Sequence, residues 1–64
     1  MRLKLSKEIY SLTQIQSAVE AYKEYATIVI QFKDKYYQCI FAECINDESD
    51  TIKEFENYLI SLQN

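Results

Sequence analysis

Along the 64 residues of this chain, the spacing of apolar side chains switches between two and three-to-four, and those switches order its elements. Leu3 and Leu5 alternate with Arg2, Lys4 and Ser6, the pattern of a half-buried strand over Arg2–Ser6. Ser11 then stands three residues before Gln14, the spacing of a capping box, and Tyr10 with Ile15 can staple the helix start. Leu12, Ile15, Val19, Tyr22 and Ala26 recur at three- and four-residue steps, which predicts a helix over Leu12–Glu24. From Tyr25 the period returns to two. Ala26, Ile28, Ile30 and Phe32 form one face, opposed by Thr27, Val29, Gln31 and Lys33, and the β-branched run Thr27–Ile30 favours a strand. With no Gly and no Pro, turns fall to Asp, Asn, Ser and Lys. Lys33-Asp34-Lys35 is such a break, and a second β-prone run, Tyr36–Ile45, completes a hairpin. There Tyr37, Cys39, Phe41 and Ile45 share a face, with Tyr36, Gln38, Ile40, Ala42 and Cys44 opposite. Asn46–Asp50 reads as a polar loop. Thr51 and Glu54 repeat the capping-box spacing, and Ile52, Phe55, Leu59 and Leu62 stripe a second helix running to near the C-terminus.

The resulting order is β-α-β-β-α in a single α+β domain, residues 1–64. Each helix has one apolar stripe, so both are expected on the same face of the sheet. Placing the third strand between the first two gives a three-stranded antiparallel sheet of order 1-3-2, a ferredoxin-like arrangement lacking its last strand. That missing strand would have paired with the first one, whose edge is left open. A core this small rarely supplies more than roughly 3–5 kcal/mol, and small domains usually supplement it with a disulfide, a metal or a partner chain.

The first two sources find little support. Cys39 and Cys44 are the only cysteines and there is no histidine, so a four-ligand zinc site cannot be completed within one chain. An odd spacing along one strand places the two thiols on opposite faces, which argues against an intrachain disulfide. Unpaired cysteines suit a reducing cytoplasm. The net charge of −3 lacks the basic face of a nucleic-acid module, and no apolar run is long enough for a membrane span or a signal peptide. No residue set stands out as catalytic. Without His, acid–base chemistry needs an Asp, Glu or Lys with a shifted pKa in a pocket, and a chain without Gly has no phosphate loop. Asp47, Glu48 and Asp50 lack the glycine turn and closing Glu of a calcium loop and read as helix-start carboxylates. No cofactor is expected, and the chain is read as a binding protein rather than an enzyme.

The partner surface is expected at the open edge, Leu3, Lys4 and Leu5, together with Val29, Tyr36 and Ile40 as one apolar patch on the uncovered sheet face. The chain also resembles a family. Ile9-Tyr10-Ser11-Leu12 leading into a helix with Ile15 and Ala18, an alternating hairpin, and Phe55-Glu56-Asn57-Tyr58-Leu59-Ile60 are similar to the small HxsD proteins of the His-Xaa-Ser system. Where that family often carries Pro after the tyrosine and a charged Asp and Arg in the closing motif, this chain has Ser11 and Ser61-Leu62-Gln63. The resemblance implies an accessory beside radical SAM enzymes that modify a ribosomally made peptide, with Asn57 as the motif's polar residue. It implies a precursor peptide or the modifying enzyme as partner. A homodimer through the same open edge and sheet face is the other expected assembly. The alternative is a small phage or mobile-element inhibitor that blocks a host enzyme through the same surface.

Overall fold

A computed structural model of the chain describes residues 1–63, in the element order β1 (Arg2–Ser6), α1 (Leu12–Ala21), β2 (Ala26–Phe32), β3 (Tyr36–Cys44) and α2 (Glu48–Leu62). The strands form one antiparallel sheet in the order β1-β3-β2. This is the predicted α+β arrangement, a ferredoxin-like fold without its last strand.

The start of α1 follows the local code. The Ser11 hydroxyl accepts from the Gln14 N–H at 3.2 Å, and the Gln14 side chain accepts from the Ser11 N–H at 3.3 Å. Its end comes at Ala21 rather than Glu24, because the Tyr22 carbonyl accepts from both Tyr25 and Ala26 N–H at 2.9 Å. That turn feeds Ala26 into β2 opposite Cys44, so of the last members of the apolar stripe Tyr22 is half-buried at the turn and Ala26 is buried in a strand. The start of α2 also differs from expectation. Asp47 is the N-cap, accepting from the Asp50 N–H at 3.1 Å, while Glu48 and Asp50 put negative charge in the first turn, where the helix dipole favours it. Thr51 lies inside the helix, buried, and its hydroxyl donates to the Asp47 carbonyl at 2.9 Å. The Thr51–Glu54 capping box therefore does not form.

A bulge decides the far end of the hairpin. Thr27 pairs with Glu43 but Ile28 pairs with Phe41, leaving Ala42 as an extra residue of β3. Beyond it the alternation is reversed. Cys44 pairs with the core residue Ala26 and packs on the helix side, whereas Ile45 is 71% exposed. The predicted faces of Cys44 and Ile45 are thus exchanged, and Cys39 and Cys44 lie on the same face. Both remain free thiols. What separates them is length, since five strand residues span roughly 15 Å and a disulfide needs Cα atoms within about 7 Å.

Leu5, Ile15, Ala18, Ala26, Cys39, Phe41, Ile52, Phe55 and Leu59 form the core between the sheet and the two helices. Phe55 is fully buried, with the Phe41 ring 5.3 Å away and the Tyr22 ring 5.7 Å away, both edge-on. The opposite sheet face carries Arg2, Lys4 and Ser6 from β1, Tyr36, Gln38 and Ile40 from β3, and Thr27, Val29 and Gln31 from β2.

Candidate partner-binding edge

The hydrogen-bonding phase of β1 follows from the two bonds that bracket it. Phe41 N–H donates to the Met1 carbonyl at 2.9 Å, and Lys7 N–H donates to the Lys35 carbonyl at 3.2 Å. In an antiparallel pair, bonded and non-bonded positions alternate. Leu3 and Leu5, directly opposite Cys39 and Tyr37, therefore direct their main-chain groups into the sheet. Arg2, Lys4 and Ser6 direct theirs outward. The Ser6 carbonyl is taken by the following turn, accepting from Ile9 at 3.1 Å and Tyr10 at 2.9 Å. The N–H and C=O of Arg2 and Lys4 and the N–H of Ser6 have no partner among the described residues.

This phase redistributes the predicted edge set. Leu5 is a core residue and Leu3 packs against the core, so their side chains serve the fold. Lys4 is the central edge residue, with Arg2 as a second one that the alternation of apolar residues does not single out. Register with β3 alone reveals Arg2, because parity cannot be read from β1 in isolation.

The apolar patch on the open face is not continuous. Val29 and Ile40 are direct cross-strand partners, with Val29 48% exposed. Between Ile40 and Tyr36 stands Gln38, flanked by Lys4 on one side and Gln31 on the other. The Lys4 ammonium lies 5.2 Å from the centroid of the Tyr36 ring, a cation–π contact that half-buries the tyrosine. The patch reduces to the pair Val29 and Ile40, with Tyr36 serving to hold Lys4 over the sheet. Arg2, opposite Ile40, completes a row of two cations along the β1 side.

Asn57 is exposed on α2, and its side chain makes no hydrogen bond to the described residues. A pocket of about 330 Å³ opens where the α1–β2 turn meets the β3–α2 loop, lined by Tyr22, Tyr25, Asn46, Thr51 and Glu54. Burial, reinforced by the Glu54 carboxylate and the neighbouring Tyr58 and Tyr25, raises the Tyr22 pKa above its ordinary 10.0, so the phenol keeps its proton near neutrality. The Thr51 hydroxyl is already spent on Asp47. Burial also pushes the Cys39 thiol up to about 11, the opposite of what a reactive thiolate requires. Among the described residues no group of His, Cys, Asp and Glu is placed to hold a metal, and no helix is long and apolar enough to cross a membrane. Comparison with family models, curated proteins and solved structures finds no match to this chain.

Proposed function

We propose that this chain is a non-catalytic accessory of ribosomal-peptide maturation, binding a precursor peptide or the radical SAM enzyme that modifies it. An extended precursor segment fits best, because the reading rests on the outward N–H and C=O groups of Arg2 and Lys4 at the β1 edge. A strand added there gains main-chain hydrogen bonds, and its alternate side chains meet two different surfaces. On the open face they lie beside Arg2 and Lys4; on the helix side they lie beside Leu3 and Leu5. The complementary segment therefore alternates acidic with apolar residues, each opposite-charge pair contributing about 0.2–1 kcal/mol. The resemblance of Ile9-Tyr10-Ser11-Leu12 and Phe55–Ile60 to HxsD proteins supplies the pathway. Such an accessory works in the reducing cytoplasm, with Cys39 and Cys44 as thiols.

The test alters one main-chain donor. N-methylating Lys4 in the synthetic chain removes an outward N–H and leaves the sheet's internal bonds intact. Titrated with a peptide alternating Glu and Val, the methylated chain is expected to keep its native spectrum and lose binding. N-methylation of Ile30, on the other side of the sheet, should leave binding in place. Undiminished binding by the Lys4-methylated chain would rule out the β1 edge.

A further inference from the structure

The sheet has a second open edge, and its chemistry is different. Lys33 N–H donates to the Tyr36 carbonyl at 3.0 Å, and Ile45 N–H donates to the Tyr25 carbonyl at 3.0 Å, which sets the bonding phase of β2 against β3. Continuing the alternation from Lys33, Gln31 and Val29 bond inward to Gln38 and Ile40. Ile28, Ile30 and Phe32 therefore point their N–H and C=O groups away from the sheet, and none has a partner among the described residues. Edges that stay free are normally guarded by charges, Pro or a covering element. From Ala26 to Phe32 there is neither a charge nor a proline, and Phe32 is 64% exposed.

We infer that the β2 edge pairs with the β2 edge of a second copy of this chain, joining two three-stranded sheets into one antiparallel sheet. The occupant follows from self-complementarity. A two-fold axis at Ile30 sets Ile30 against Ile30 and Ile28 against Phe32 of the second copy. All the outward groups of these residues then pair, and both contacts on the helix side are apolar. On the open face the same register sets Val29 against Gln31 and Thr27 against Lys33, so no like charges meet. Shifting the axis to Val29 would set Phe32 against Ala26, whose N–H is already given to the Tyr22 carbonyl. Charge disfavours the β1 edge for this role. A two-fold axis at Lys4 sets Lys4 against Lys4, and an axis at Leu3 sets Arg2 against Lys4; either opposes cations directly. The two edges thus divide the work, β2 for a second copy and β1 for an unlike strand.

The experiment is sedimentation velocity over a concentration series, read beside amide hydrogen exchange. The wild-type chain is expected to reach twice its monomer mass as concentration rises, with Ile28, Ile30 and Phe32 amides gaining protection and Arg2 and Lys4 gaining none. Val29 and Gln31 lie on the open face, so both can be changed without touching the core. Val29→Lys with Gln31→Lys opposes lysines across the axis twice, and should weaken dimerisation by about tenfold or more. Val29→Lys with Gln31→Glu sets opposite charges together in this register, and should restore it. A wild-type chain that stays monomeric to millimolar concentration overturns the proposal. So does a double-lysine variant that dimerises like the wild type, or a lysine–glutamate variant that stays monomeric. N-methylating Lys4 is expected to leave this dimer intact, so its outcome is separate from that of peptide binding at β1.

Discussion

Phe55 ties α2 to the rest of the core, touching the Tyr22 ring at the end of α1 and the Phe41 ring of the central strand. Phe55→Ala leaves a cavity between sheet and helices, and is expected to cost about 3–5 kcal/mol, comparable to everything a core of this size supplies. Its proton NMR spectrum should lose native dispersion; a well-dispersed spectrum would show that α2 is peripheral to folding. Cys39 contributes through burial as well, and its thiol gives a pH-dependent signature. Its pKa rises from 9.0 to about 11 on folding. The folded state holds the proton more tightly than the unfolded chain, so the thiol's contribution is whole below pH 9 and is lost as pH climbs through 11. The gap in urea midpoint between wild type and Cys39→Ala should accordingly narrow from pH 9 to 11. A constant gap across that window would mean that the thiol titrates alike in both states.

At the scale of elements, the two helices differ in how their beginnings are encoded. At α1 the cap pair is local and unambiguous, and Ser11 with Gln14 forms both bonds of the box. At α2 two caps compete within five residues. Asp47 wins because its carboxylate reaches the Asp50 N–H, and starting there turns Thr51 toward the core rather than toward a free helix end. Asp47→Ala should thus cost about 1 kcal/mol in thermal unfolding, the usual loss for a removed N-cap. Thr51→Val, which keeps the buried shape and removes only a hydroxyl bonded back to Asp47, should cost less. The reverse order would place the helix start at Thr51. The strands differ in a parallel way. β1 and β2 are both edges, but Arg2 and Lys4 make one of them cationic, whereas Ala26–Phe32 carries no charge at all.

For the molecule as a whole, a core this small leaves little stability in reserve. If the β2 edges pair, folding and dimerisation are linked, and the unfolding temperature should rise with protein concentration. The Val29→Lys, Gln31→Lys variant should shift that dependence to concentrations about tenfold or more higher; a wild-type midpoint independent of concentration would count against the linkage. Much of this architecture is legible in the residues themselves. The period changes mark the five elements, the Ser11 box starts α1, and the alternation of Tyr37, Cys39 and Phe41 assigns the buried face of β3 up to Ala42. These features depend on neighbours within about four residues, where sterics and capping act. Pairing between distant strands decided the rest. The bulge at Ala42 turns Cys44 inward and Ile45 outward, because Ala26 must face the core while Thr27 faces Glu43. Lys4 comes to lie over Tyr36, splitting a patch that looks continuous when the strands are read singly. Hydrogen-bonding phase was decided in the same way. Side-chain alternation tells which face a residue occupies, but only the partner strand's register selects which main-chain groups are consumed and which stay free at an edge.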